Sequence, residues 1–172
     1  SSPEPRPTQA GDAELAKTLE GMNSRFKNVE MELVEWPAEL HRKLGKMTRL
    51  ALMTRPAEKT AEKLPLLINL HGGGQRWWNN SFQQQLEIAA EIGMKRGFDL
   101  AELAGKQLIV LDPNTAERWN ADSLDTMLDY VLETYPEIDK DRVYVMGYSA
   151  GGWGHLEMDQ SIGPTFCGGG AL

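Results

Sequence analysis

The sequence predicts an α/β protein whose central sheet is mainly parallel and covered by helices on both faces. Three observations carry that prediction. Short, continuous apolar runs recur at 64–70, 108–111 and 143–146, and such runs mark strands buried on both faces. Segments with helical spacing lie between them, at 81–105 and 122–135, and strands alternating with helices build a parallel sheet with two covered faces. The C-terminal ends of the runs carry His71, Asp112 and Ser149, which puts three polar residues on the rim where open α/β sheets bind ligands.

Taken in order, residues 1–27 read as a tail and a helix. Ser1 to Thr8 is polar and Pro-rich, and Leu15, Leu19 and Met22 give helical spacing from Asp12 to about Phe26. Residues 28–172 read as the α/β domain. Val29, Met31 and Leu33 alternate with Glu30 and Glu32, the pattern of a half-exposed edge strand. Met47 to Thr54 reads as a second strand, and the polar stretch Arg55 to Lys63 leads to the buried run before His71. The helical pattern at 81–105 breaks near Gly97, and Gln107 to Asp112 is a strand closed by Pro113. Leu124, Met127, Leu128, Val131, Leu132 and Tyr135 form one apolar stripe that Pro136 ends. Strands at Leu66, Leu108 and Val143, with a further candidate at Phe166, form the expected parallel centre. Asp112 is expected to cap a turn, and Asp139 and Asp141 to be structural.

Composition narrows the function classes. The 172 residues hold 25 acidic and 18 basic side chains, a formal charge of −7, with 41% hydrophobic residues. No dense run of Lys or Arg is present, so nucleic acid and anionic membrane surfaces are not the expected partners. No apolar stretch has the length of a membrane-spanning helix. The single cysteine, Cys167, has no partner for an internal disulfide and reads as a small buried residue. No His, Cys or carboxylate cluster has the spacing of a metal site, and no Gly-rich loop matches a nucleotide motif, so neither metal nor cofactor is expected.

Two motifs carry chemistry. Gly147-Tyr148-Ser149-Ala150-Gly151 fits G-x-S-x-G directly after the apolar run 143–146. In that motif a serine sits on a strained strand-to-helix turn that needs small residues on either side. His71-Gly72-Gly73-Gly74 follows the run Leu64–Leu70. Its glycines free the backbone to aim N–H groups at the negative charge that develops on a carbonyl oxygen during acyl transfer. With these two motifs, the chain resembles the α/β-hydrolase superfamily. More narrowly it is similar to secreted bacterial serine esterases related to polyhydroxybutyrate depolymerases and to feruloyl and acetyl-xylan esterases. The carrying residues are Leu66 to Gln75 and Ile138 to Trp153, with Cys167-Gly-Gly-Gly170 as a further match to the strand after the nucleophile helix.

The resemblance implies a carboxylic-ester hydrolase, with Ser149 as nucleophile, forming an acyl-enzyme on a small-molecule or polymer-linked ester. The backbone N–H of Ala150 is the expected oxyanion donor. A second donor is expected from Gly72, Gly73, Gly74 or Gln75, with His71 holding that loop by hydrogen bonds. Trp77, Trp78 and Trp119 are candidates either for lining an acyl or sugar pocket or for ordinary packing. In this fold the acid and the base follow the nucleophile in chain order. Only His155 follows Ser149 among the histidines, and at 1.5 Å per residue it falls roughly 9 Å along a helix leading away from the serine. His41 precedes the core of the sheet and has no acidic partner in an evident motif. Neither is the expected base, and the domain reads as incomplete on its C-terminal side. A hydrolase-like binding module without catalysis, and a peptidase of the same fold, are the alternative readings. The start lacks an initiator Met, which fits either a mature end left by signal-peptide cleavage or an arbitrary boundary within a longer chain, and the resemblance favours a secreted or periplasmic protein.

Overall fold

A computed structural model of the protein describes residues 12–71, 107–115 and 117–147. Within them lie five strands, β1 (Val29–Glu35), β2 (Leu50–Pro56), β3 (Leu64–Leu70), β4 (Ile109–Asp112) and β5 (Ile138–Gly147). The helices are α1 (Asp12–Arg25), the four-residue α2 (Ala38–His41) and α3 (Ala121–Thr134). The expected helix over 81–105 and the candidate strand at Phe166 lie outside the described residues.

The strands form one sheet in the order β1-β2-β4-β3-β5. β3 pairs in parallel with β4 on one side and β5 on the other. β2 runs antiparallel to both of its neighbours. The parallel centre therefore contains the three apolar runs, as their composition requires. β1 forms the edge, where alternating Glu residues are tolerated.

Three strands differ in extent from the sequence reading; of these, β4 begins at Ile109 rather than at Gln107, whose φ is 71. The second strand begins at Leu50 and runs through Pro56, whereas Met47 makes an isolated bridge to Thr115. The Thr48 hydroxyl donates to the Leu50 carbonyl at 2.8 Å. This local bond competes with ladder pairing and shifts the start of the strand. β5 begins at Ile138, before its apolar run, because Ile138 pairs with Leu64. Leu66 then pairs with Val143, so two steps along β3 match five along β5. Asp139 closes the resulting bulge. Its carboxylate accepts the Asp141 N–H at 2.9 Å and the Arg142 Nε–H at 2.7 Å, and these bonds hold the Asp139 carboxyl below its usual range.

The core follows from strand parity, since successive side chains face opposite sides of a sheet. Ala51, Met53, Leu66, Ile68, Leu70, Ile109, Leu111, Val143 and Val145 share one cluster with Leu124, Met127, Leu128 and Val131 of α3. Residues of the other parity, Leu50, Leu52, Leu67 and Val110, share the second cluster with Leu15, Leu19 and Met22 of α1. The helix stripes read from the sequence are the surfaces that cover the two faces. α3 starts where the Asn120 side chain accepts the Ser123 N–H at 3.0 Å, an N-cap that satisfies one orphan donor of the first turn.

α1 also serves the sheet edge. Met31 N–H donates to Asn23 Oδ1 at 2.8 Å, and Asn23 Nδ2–H donates to the Met31 carbonyl at 3.0 Å. Both bonds are made on the side of β1 turned away from β2. Arg49–Glu35 and Arg55–Glu32 ion pairs tie β1 to β2, but such partly exposed pairs contribute little individually. Asn23→Ala is expected to cost about 1–2 kcal/mol, the loss of two partly buried hydrogen bonds. A urea midpoint shift accompanied by increased concentration-dependent association would bear this out; an unchanged midpoint would refute it.

Candidate active site

Register brings the ends of the parallel strands to one level. Ile68 lies opposite Leu111 and Leu70 opposite Gly147. Asn69 and Asp112, each one residue further on, are thus neighbours across the β3–β4 pair, and Asn69 Nδ2–H donates to Asp112 Oδ1 at 2.7 Å. Asp112 does not cap a turn, contrary to the sequence reading, because its carboxylate is committed sideways to Asn69. Burial, partly offset by that hydrogen bond, pushes its pKa up to about 6.

The next rim residue is His71, directly after β3. Its Nε2 accepts the Thr115 N–H at 3.1 Å, so that ring nitrogen acts here as an acceptor. The His71 carbonyl accepts the Trp119 indole N–H at 2.9 Å, and the two rings lie 4.8 Å apart at 54°. The 113–120 segment that supplies these partners is itself tied down. Thr48 N–H donates to the Asn114 carbonyl at 2.8 Å, and Met47 bridges Thr115. His71 is therefore attached to a loop more than forty residues away in sequence, with the glycine run starting at the next residue.

Trp119 is only 6% exposed and belongs to the core cluster shared with α3. Its indole N–H is spent on His71, so packing and positioning account for most of the side chain. His41 Nε2–H donates to the Met47 carbonyl at 2.8 Å, a local bond that steadies the α2–β2 connection. Ser149, Ala150, Gly72, Gly73, Gly74, Gln75, Trp77, Trp78 and His155 lie outside the described residues. β5 is described to Gly147, two residues before Ser149 in the sequence.

Sequence reasoning missed Asn69, Thr115 and the commitment of Asp112. Asn69 did leave a signal, as the polar residue inside the run Leu66-Leu-Ile-Asn-Leu70. Nothing in the sequence marked Thr115. Among the described residues no group of three His, Cys, Asp or Glu is arranged to hold a metal ion, and no helix is long and apolar enough to cross a membrane.

No protein-family model matches the chain, and no curated protein does. Solved structures do. An S-formylglutathione hydrolase from Agrobacterium tumefaciens superposes with a TM-score of 0.55 at 15% identity, over 81% of this chain and 56% of that one. A ferulic acid esterase gives 0.55 at 18% identity, over 81% and 58%. A candidate dipeptidyl aminopeptidase IV from Bacteroides ovatus gives 0.51 at 18% identity, over 80% of this chain and 20% of that one. The chain thus spans between a fifth and somewhat over half of the proteins it resembles. These neighbours share the α/β-hydrolase fold, and the sheet described above is that fold.

The raised pKa of Asp112 has a consequence for stability. A carboxyl that holds its proton more tightly in the fold than in the unfolded chain favours folding fully below its ordinary pKa of 3.8. That contribution is lost as pH rises through about 6. Asp112→Asn keeps an amide partner for Asn69 and removes the charge. The variant is expected to lack the stability decline between pH 4 and 6.5, and to exceed the parent at pH 7 by on the order of 3 kcal/mol. Urea midpoints at pH 4 and pH 7 measure this, and parallel pH profiles for the two proteins would refute it.

Proposed function

We propose that the protein is a serine hydrolase of carboxylic esters that works through an acyl-enzyme on Ser149. One observation carries the reading. β5 ends at Gly147 level with Leu70 of the parallel neighbour β3, so Tyr148-Ser149-Ala150-Gly151 follows directly from the rim on which His71 and Asp112 already lie. G-x-S-x-G at that point of an α/β-hydrolase sheet is the sequence of a nucleophile elbow. The neighbours described as an S-formylglutathione hydrolase and a ferulic acid esterase support hydrolysis as the chemistry.

In this mechanism Ser149 Oγ attacks the ester carbonyl carbon while a general base takes its proton. Backbone N–H groups of Ala150 and of the 72–75 loop hold the oxyanion. The alcohol then leaves with a proton, and water hydrolyses the acyl-enzyme by the same steps in reverse order of groups. His71 is not the base in this reading. Its Nε2 is occupied by the Thr115 N–H, and its carbonyl and ring are anchored at Trp119. Its role is to fix the start of the glycine loop relative to β4. Export to a secreted or periplasmic location belongs to the same proposal and rests on the resemblance to secreted esterases.

A fluorophosphonate probe is expected to label the protein at Ser149, and Ser149→Ala is expected to abolish labelling and lower kcat on p-nitrophenyl acetate by at least 10³-fold. Parallel assays with short-chain esters and dipeptide amides separate the esterase from the peptidase reading, which the dipeptidyl aminopeptidase-like neighbour makes worth testing. Well-folded protein that takes no label and turns over neither substrate would be a binding module instead.

A further inference from the structure

Beside the rim, a cleft of ≈ 820 Å³ opens between the α2–β2 connection and the start of α3. Its size falls in the ordinary range of ligand sites. Arg42, Lys43, Lys46 and Arg118 line it, against two acidic side chains, Glu117 and Asp122. None of the four cations makes an ion pair among the described residues. On a chain whose formal charge is −7, a local excess of positive charge opposes the overall field.

The floor of the cleft is polar and open to a ligand. The N-terminus of the 14-residue α3 ends there. The Asn120 cap takes the Ser123 N–H, and the N–H groups of Ala121 and Asp122 have no acceptor among the described residues. Ser123 is 7% exposed and lines the cleft. Its hydroxyl makes no hydrogen bond among the described residues and is not one of the fully enclosed polar atoms, so a donor open to the cleft is left for whatever enters. Above it the chain turns at Gly45 with φ +60, and a Cβ there would stand 3.5 Å from the Ser123 Oγ. That Cβ contact would be an ordinary one, and it is the positive φ that favours glycine at this turn. Oriented N–H groups, and a hydroxyl and cations with no partner among the described residues, together favour negative charge.

We propose that this cleft binds an anionic group, a carboxylate or a phosphate. Thr115 and Trp119 form one of its walls, and both hydrogen-bond to His71. A ligand seated there lies against the residues that hold the head of the glycine loop. The anion has two sources, a free ion or an acidic group on an ester bound at Ser149. Only the second rests on the hydrolase reading.

Two arms test this. In the first, inorganic phosphate is titrated into the protein while backbone amide and indole resonances are followed by NMR. Saturating shifts are expected at Gly45, Ala121, Ser123 and the Trp119 indole. The double variant Arg42→Gln, Lys46→Gln is expected to weaken binding at least fivefold, whereas Lys59→Gln, Lys63→Gln, which removes the same charge elsewhere, leaves it within twofold. Shifts that do not saturate, or that weaken equally in both double variants, would overturn the proposal. The second arm compares mono-p-nitrophenyl succinate with p-nitrophenyl butyrate. A five- to tenfold rise in KM for the acidic ester alone, with kcat unchanged, identifies the substrate's acidic group as the ligand. Equal kinetics on both esters, with phosphate binding lost in the variant, identifies a free anion. If neither ester is turned over, the hydrolase reading fails, and the NMR arm still decides the cleft.

Discussion

The structure depends on the register of β3. This strand is hydrogen-bonded on both sides, to β4 and to β5, and Leu66, Ile68 and Leu70 are almost wholly buried on one of its faces. A slip of one residue would turn those side chains to the opposite face and expel them from the α3 cluster. The same pairing sets the levels at which β4 and β5 end, and hence where Asp112 and Gly147 stand. Packing on the faces and polar chemistry on the rim are two consequences of one alignment. The bulge after Ile138 shows how closely β5 is held to it. Three residues that do not fit the ladder are looped out, with Asp139 accepting from Asp141 and Arg142, while Arg142 Nη2–H reaches the Lys63 carbonyl at 2.8 Å.

On the rim, the described polar groups restrain the backbone through hydrogen bonds. His71 spends a ring nitrogen and its carbonyl on the 113–120 segment. That segment in turn hangs on Thr48 and Met47, and His41 steadies Met47 from below. The chain of contacts runs from the α2–β2 connection to His71, the residue before the glycine run. It passes along the wall of the cationic cleft, so the two features share a support.

Much of this was legible in the sequence, and the failures have physical causes. The run Leu64–Leu70 is a strand over its full length, and the stripe from Leu124 to Val131 covers the sheet, because burial on a fixed period leaves a strong pattern. β5 was read too short because Asp139-Lys-Asp-Arg142 is polar, and only its pairing partner reveals that the strand begins earlier. α2 and the buried Trp36, which meets Tyr130 edge-on at 5.9 Å, left no periodic signal in so few residues. In the site, His71 was conspicuous through its glycines, whereas its partners Thr115 and Trp119 lie 44 and 48 residues away. Contacts at that range have no local spacing to betray them. The pull of burial on Asp112 depends likewise on its surroundings and not on its neighbours in sequence.

Asn23 offers Met31 one donor and one acceptor at 3.0 and 2.8 Å, the same pair that a peptide unit of an adjoining strand would present. The side-chain amide thus impersonates one residue of a neighbouring strand. Any extended segment from another molecule that seeks this border must first displace a group tethered to the same chain, whose effective concentration is on the order of millimolar. Lateral growth of the sheet is thereby set against the docking of α1, and the outcome is governed by how firmly Leu15, Leu19 and Met22 seat the helix. Solubility at this border becomes a property of the amphipathic helix rather than of the strand it guards.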